Sequence, residues 1–444
     1  MSNNYNFESW GRYPKVSHLG ELTPYSVDRV GDTIKSVNSL ILPRGMGRSY
    51  GDSCLNKGGY LLSTKLLNKF KQINPETGIL SCESGVTLDE ILKIFVPMGW
   101  FLPVTPGTKF VTVGGAIAND VHGKNHHKEG TFGNHVIRFE LERSDGARII
   151  CSRDTNTDWF EATIGGLGLT GVILWAEVKL KPIRGPYIEM ESIKFENLDE
   201  FFQISHESER NYEYTVSWLD CLHSDETRGI FMRGNHIDRS EKDELKAVHK
   251  NPTWKIFPID APSFLLSTST IKLFNIFYYS KQWKKNQRSI VHYDPFFYPL
   301  DHINHWNRMY GKRGFLQWQC VVPVTKNNDA IRIILKEILE SKLGSFLVVL
   351  KEFGNLPSEG ILSFPMPGIT LALDFPNVGE RLFSLLDRLD AVVVESGGRI
   401  YPAKDARMSR KTFRASFPGF EIFLKYVDPK FSSSFYRRVE GRNA

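Results

Sequence analysis

The sequence predicts an α+β protein of more than one domain, and three observations carry that expectation. Over residues 39–184, short apolar strands alternate with glycine-rich loops and single helices, without the regular βαβ array of a parallel sheet. From residue 187 to about 398 the strands become longer and more aromatic and the helices longer, whereas from Tyr401 the chain returns to short, charged segments. At 444 residues the chain is also long for one unit, since roughly 100–200 residues per domain is usual. Residues 1–186 and 399–444 are therefore expected to form one domain, with 187–398 a second domain between them.

Taken in order, strands are expected at residues 39–42, 59–63 and 78–82. Thr87 can cap a helix, because Glu90 stands where a capping box needs it and Leu88, Ile91, Leu92 and Phe95 form one apolar stripe. Asp145-Gly146, between apolar segments 137–142 and 147–151, reads as a hairpin turn. Further on, segments 315–324, 346–353 and 369–375 read as strands and 330–342 and 380–395 as helices, approaching a split βαβ arrangement on an antiparallel sheet. No internal sequence repeat is visible.

Composition removes several function classes. Hydrophobic residues at 41% and charged residues at 24% exclude a disordered, collagenous or coiled-coil chain. A net charge of +6 is too mild for nucleic-acid binding without a concentrated basic face. The five cysteines, Cys54, Cys82, Cys151, Cys221 and Cys320, contain no C-x-x-C pair, so neither a disulfide framework nor a zinc ribbon is indicated and a reducing, cytoplasmic setting is expected. The N-terminus lacks the basic start and apolar run of a signal peptide, and no apolar run is long enough for a transmembrane helix. Segment 256–279, rich in Phe, Leu, Ile and Tyr and followed by Lys281, Lys284, Lys285 and Arg288, has two readings: peripheral contact with an anionic membrane surface, or a lid or core segment.

Two glycine-rich loops carry more information. Pro43-Arg44-Gly45-Met46-Gly47-Arg48-Ser49-Tyr50-Gly51-Asp52 follows a strand and combines three glycines with two arginines. Glycines let successive N–H groups converge on an anion, so this is a pyrophosphate cradle in outline. In residues 106–118, Gly114, Gly115, Ala116 and Ala118 are small enough for a bulky ligand to lie against a helix start. By contrast, Gly166-Leu-Gly168-Leu-Thr-Gly171 matches the dinucleotide fingerprint only in letters, because a helical pattern precedes it and a strand pattern follows. His122, His126 and His127 suggest zinc, but no cysteine or acidic ligand motif stands beside them and no metal is expected.

Arg44-Gly-Met-Gly-Arg-Ser49, Pro106-Gly-Thr, Thr112-Val-Gly-Gly-Ala116 and Gly165-Gly-Leu-Gly-Leu-Thr-Gly171 resemble, in that order, the flavin-binding signatures of the vanillyl-alcohol-oxidase superfamily. His122-Gly-Lys-Asn-His-His127, Phe132-Gly-Asn-His135, Trp306-Asn-Arg-Met-Tyr310, Phe315-Leu-Gln-Trp-Gln319 and Tyr401-Pro-Ala-Lys-Asp405 are similar to its decaprenylphosphoryl-β-D-ribose 2′-oxidase branch. The resemblance runs from about residue 10 to Val427-Asp-Pro429. It implies a two-domain vanillyl-alcohol-oxidase-type fold, with FAD held by the domain of both chain ends and an antiparallel-sheet substrate domain capping it. FAD contacts are implied at Pro43 to Ser53, Gly107, Thr112, Val113, Gly114, Gly115, Asn119, Asp120, Val121, His122, Ile173 and Tyr401. Where many members carry a flavin-linking histidine this sequence has Arg48, so the FAD is expected to be non-covalent; where several carry a pocket cysteine it has Ala372.

The implied activity is oxidation of a secondary alcohol of a sugar to a ketone, at the 2′-hydroxyl of a polyprenyl-phosphate ribose. A partner short-chain reductase would complete epimerisation to the arabinose form, a precursor for cell-wall arabinan. A soluble sugar, alditol or aldonolactone is the alternative substrate, and a flavin-retaining membrane-surface protein without turnover is the reading from another class. Lys404 is the expected catalytic cation, set against an ordinary surface lysine, and His122 the expected proton acceptor. Gln317 and Gln319 alternate onto one strand face and can bind sugar hydroxyls, Lys351 can meet a phosphate, and Trp218 and Tyr310 can line the pocket.

Overall fold

The computed structural model describes residues 7–223, 227–237, 255–257, 259–262 and 266–441. Residues 258 and 263–265 of the apolar segment lie outside this set. The chain opens with a parallel three-stranded sheet of β1 (Gly20–Leu22), β2 (Ile41–Arg44) and β3 (Tyr60–Ser63), with β3 central. An antiparallel sheet follows, made of β4 (Phe70–Asn74), β5 (Ile79–Glu83), β6 (Val136–Glu142), β7 (Arg148–Ser152) and β8 (Val172–Lys179) in the order β4-β5-β8-β6-β7.

Local sequence sets the helices on these sheets. Helix α1 (Leu88–Phe95) starts at Thr87 with the expected capping box, Thr87 Oγ1 accepting from Glu90 N at 3.2 Å and Glu90 Oε2 accepting from Thr87 N at 2.8 Å. Its apolar stripe is buried. Thr112 Oγ1 caps α2 (Val113–Ala118) by accepting from Gly115 N at 3.1 Å. The Asp145-Gly146 turn joins β6 and β7, Gly146 taking the left-handed φ of +93° that suits glycine. Around the false fingerprint, α3 (Thr157–Thr163) precedes the glycines and β8 follows them, the reverse of a dinucleotide-binding order.

The central region forms one eight-stranded sheet in which every pairing is antiparallel. Its elements are β9 (Tyr187–Phe195), α4 (Leu198–Glu209), β10 (Tyr214–Asp220), β11 (Arg228–His236), α5 (Thr268–Ser280), β12 (Asn286–His292), α6 (Tyr293–Phe297), β13 (Phe315–Val322), α7 (Asp329–Ser341), β14 (Val348–Phe353), β15 (Gly368–Pro376), α8 (Glu380–Glu395) and β16 (Arg399–Ile400). The strand order is β12-β9-β11-β10-β14-β15-β13-β16. β11 lies between β9 and β10, and β15 between β13 and β14, so a split βαβ unit occurs twice, joined where β10 pairs with β14. β13 stops at Val322 because Pro323 has no N–H to donate.

Strand alternation gives this sheet two different faces. Leu316, Trp318, Cys320, Leu350, Leu371 and Leu373 pack in a core with Phe201 of α4, Ile334 of α7 and Leu386 of α8. Trp218, Val349, Lys351, Thr370, Ala372, Gln317 and Gln319 point the other way and line a cavity.

The tail returns to the N-terminal sheets through α9 (Arg410–Ser416) and α10 (Ser434–Glu440). Phe431 bridges to Ile41 in parallel, and Arg438 donates to Asp52 Oδ1 at 2.6 Å and to Asp405 Oδ2 at 2.8 Å. Among the described residues, no helix is long and apolar enough to cross a membrane.

Candidate active site

The cavity, of about 390 Å³, lies between the glycine loops and the open face of the central sheet. Its size falls in the range of roughly 300–1,000 Å³ usual for ligand and cofactor sites. The loop after β2 curls at Gly47, whose φ of +63° is in the left-handed region that favours glycine, with the Arg44 guanidinium packed against it. A Cβ on Gly45 would meet Thr112 Oγ1 at 2.3 Å, so the two glycine loops touch. Gly107, on the cavity wall, would meet nothing within 4 Å. Ser53 Oγ, Ser84 Oγ and Arg44 Nε are buried there without a hydrogen-bond partner. Orphaned polar atoms beside open space over small residues fit a large polar ligand such as the pyrophosphate-linked FAD.

Arg48, further along the same loop, has its guanidinium carbon 4.1 Å from the Trp10 ring centroid and 5.3 Å from that of Phe110. Burial lowers its pKa, opposed by the charge of Asp301.

The opposite wall is cationic. Lys404 Nζ lies 3.9 Å from the Tyr50 ring centroid, and its pKa is lowered to about 7 by burial, with Asp374 raising it and Lys351 lowering it. Asp374 is fully buried; one carboxylate oxygen accepts from Gln317 Nε2 and the other has no hydrogen-bond partner. Gln319 Nε2 contacts His122 Nε2 at 2.9 Å and donates to Thr370 Oγ1 at 3.1 Å. His122 is held well below the usual imidazole pKa by burial first, then by Lys351, His126 and Lys404. Lys351 donates to Gly123 O at 3.1 Å. Trp218 is fixed by donation to Phe346 O at 3.1 Å and contacts Tyr278, with ring centroids 4.6 Å apart. His122 and His126 pack on the same Phe353 ring, with centroids 4.9 and 4.3 Å away, whereas His127 Nε2 lies 2.9 Å from Tyr212 O.

The structure therefore brings most expected site residues to one cavity: residues 43–50, Ser53, Gly107, Thr112, Gly114, Gly115, Asn119, Val121, His122, Ile173, Trp218, Gln317, Gln319, Lys351, Tyr401 and Lys404. Five stand behind its wall instead. Gly51 packs against the Asp405 carbonyl with no room for a side chain, and Asp52 is taken by Arg438. Val113 is in the core, Asp120 accepts from Ser363 Oγ at 2.5 Å, and Tyr310 stacks on Phe315 at 4.2 Å. Sequence reasoning missed Lys124, Ser217, Met232 and Thr370 on the wall. For Thr370 a signal existed, since it alternates with Ala372 on a predicted strand; Lys124 stands inside the His122–His127 block that carries the resemblance, but no role was read for it there.

A glycine cradle, a non-nicotinamide fold and a cationic wall define an FAD-dependent oxidoreductase. The family described as FAD binding domain matches residues 20–152. The chain is 37% identical over 415 residues to the decaprenylphosphoryl-β-D-ribose oxidase of Mycolicibacterium smegmatis, covering 90% of this chain and 89% of that protein. It is 30% identical to an uncharacterised Streptomyces coelicolor protein, covering 80% of this chain and 100% of that one. It is also 27% identical to L-gulonolactone oxidase of Mus musculus, covering 40% of each. The chain belongs to the decaprenylphosphoryl-β-D-ribose oxidase family.

Proposed function

We propose that this protein oxidises the 2′-hydroxyl of a polyprenylphosphoryl-β-D-ribose to a ketone, in epimerisation to the arabinose form for arabinan synthesis. The observation that carries the reading is one cavity face presenting amides for a sugar (Gln317, Gln319), a cation for a phosphate (Lys351) and an apolar end (Trp218, Met232, Leu347) for a prenyl chain. Bound FAD would supply the hydride acceptor, and the protein supplies position and charge. Lys404 orients the hydroxyl and opposes negative charge developing on the ring. His122, kept neutral by burial among lysines, takes the hydroxyl proton as the hydride leaves and, unable to hold it at that depressed pKa, passes it on to solvent.

In this reading residues 1–186 and 399–444 hold a non-covalent FAD and residues 187–398 cap it. A short-chain reductase consumes the ketone. The exposed apolar face of α5 rests on an anionic membrane, the source of a lipid-linked substrate. Anaerobic mixing of the yellow protein with farnesylphosphoryl ribose should bleach the flavin. Bleaching by ribitol, free ribose or an aldonolactone alone would overturn the lipid-sugar reading in favour of a soluble substrate.

A further inference from the structure

Lys124 and Lys351 come from different parts of the chain and meet on the cavity wall. Lys351 is on β14, where alternation turns Val349, Lys351 and Phe353 away from the helical core. It donates to the carbonyl of Gly123, the residue before Lys124. Lys124 is held between the two regions: its carbonyl accepts from Thr215 N of β10 at 2.8 Å, and its ammonium donates to Phe296 O of α6 while lying 4.5 Å from the Phe296 ring centroid. Each ammonium has three donors, and one is committed in each case. Among the described residues, neither lysine forms an ion pair.

Two ammonium groups without a carboxylate partner, part-buried on one wall and close enough for the charge of Lys351 to act on Lys124, are costly. The groups facing them do not relieve the cost. His122 and His126 are held neutral by burial, Lys404 adds a further cation, and Asp374, whose charge acts on Lys404, accepts from Gln317. Burial and the charge of Lys351 lower Lys124 to about 7, and burial lowers Lys351 to about 8.

We infer that Lys124 and Lys351 form a two-lysine subsite for the phosphodiester of a lipid-linked sugar, with Lys124 as its unrecognised half. The inference rests on the proposed function and adds the anchor point. On one side of the pair the wall is polar, with Gln319 and Thr370; on the other it is apolar, with Trp218, Val349 and Met232. A phosphate joining a sugar to a prenyl chain matches that order. A phosphodiester keeps one negative charge across the working pH range, so any pH dependence of its binding reports the lysines. Affinity is fully expressed below about 7 and is lost as pH rises through about 8.

The test is calorimetric binding to the FAD-loaded protein of farnesylphosphoryl 2-deoxyribose, which has no 2′-hydroxyl to oxidise. The comparison ligands are its neutral farnesyl 2-deoxyriboside, farnesyl phosphate and inorganic phosphate. The phosphodiester is expected to bind roughly tenfold or more tightly than the neutral riboside at pH 6.5, with the advantage shrinking by pH 9. Lys124→Gln and Lys351→Met should each remove most of that advantage while Lys124→Arg retains part of it; flavin content and thermal midpoint identify any variant that has failed to fold. Inorganic phosphate should bind much more weakly than farnesyl phosphate; equal binding would make this a free-phosphate site and overturn the lipid assignment. Equal binding of charged and neutral ribosides, or an undiminished preference in both folded lysine variants, would also overturn the subsite, even if the lipid-linked sugar is still turned over. Lysine-dependent binding of farnesyl phosphate without flavin bleaching by any lipid-linked sugar would uphold the subsite and sink the proposed function instead.

Discussion

Lys404 Nζ stands 3.9 Å from the centroid of the Tyr50 ring, and Tyr50 N donates to the carbonyl of Ala403 at 2.9 Å. The glycine loop and the tail segment thus fix each other on the cavity wall. If the lysine stabilises charge that develops during substrate oxidation, Lys404→Ala and Lys404→Met should both slow single-turnover flavin reduction by roughly 10²- to 10³-fold. Both should purify yellow, because the glycine loops hold the pyrophosphate. Near-normal reduction in either variant would remove Lys404 from catalysis, and a colourless folded variant would make it a retention residue.

The same lysine predicts a pH dependence. Burial lowers Lys404 to about 7, so it is charged below that value and loses its charge as pH rises through it. The reduction rate should fall along the same limb. Asp374 supports the charged form, so Asp374→Asn should move the limb to lower pH. Stopped-flow reduction across pH 5.5–9 checks this, and a limb that stays in place would show that Asp374 does not act through Lys404.

Arg48 predicts how the flavin is held. Its guanidinium packs on Trp10 and Phe110 and offers no ring nitrogen for a covalent link. Acid precipitation should release the yellow cofactor into the supernatant. Colour retained in the pellet would mean a covalent bond elsewhere in the cavity.

What the sequence disclosed was what short range controls. The Thr87–Glu90 capping box is a local exchange of two hydrogen bonds, and Gln317 and Gln319 share a face because a strand repeats every two residues. The second split βαβ unit was legible for the same reason. Its partner, β9-α4-β10-β11, was not, because the pairing of β10 with β14 joins segments over a hundred residues apart. Lys124 stood in the His122–His127 block, but its role could not be read there because its surroundings are created by Thr215 and Phe296, which reach it only in the folded chain. Tyr310 was expected in the pocket, but an aromatic residue gains as much by stacking on Phe315, and its direction depends on the turn before β13.

Arg438 predicts how the tail is secured. It donates to both oxygens of Asp52, at 2.6 and 3.0 Å, and to Asp405 at 2.8 Å, with both carboxylates buried. Removing the cation strands two buried carboxylates, which typically costs about 3–5 kcal/mol. Arg438→Met should therefore lower the thermal midpoint and hasten flavin loss, since Gly51 of the glycine loop packs directly against the Asp405 backbone. The triple variant Asp52→Asn, Asp405→Asn, Arg438→Met should regain much of the loss, because no buried charge remains. A single variant as stable as the parent would show that the clamp contributes nothing.

Helix α5 inverts the usual pattern of a surface helix. Its buried positions are Ile271, Asn275 and Tyr279, while Leu273 and Phe277 are each 69% exposed and Ile276 is 41% exposed. Trp283, 94% exposed, lies just beyond, among exposed Lys281, Lys284, Lys285 and Arg288. An apolar face with a basic flank suits the headgroup region of an anionic bilayer, where each basic residue near the surface adds about 1 kcal/mol. Tyr278 of the same helix lines the cavity beside Trp218, so a prenyl chain leaving the site would meet this face. The protein should co-sediment with vesicles containing phosphatidylglycerol more than with phosphatidylcholine alone. High salt should weaken binding by screening the lysines without abolishing the apolar part. Leu273→Ser, Phe277→Ser, Trp283→Ser should lose vesicle binding yet still oxidise a short-chain, water-soluble prenylphosphoryl ribose at the parent rate. Undiminished vesicle binding by that variant would assign the apolar face to something other than a membrane.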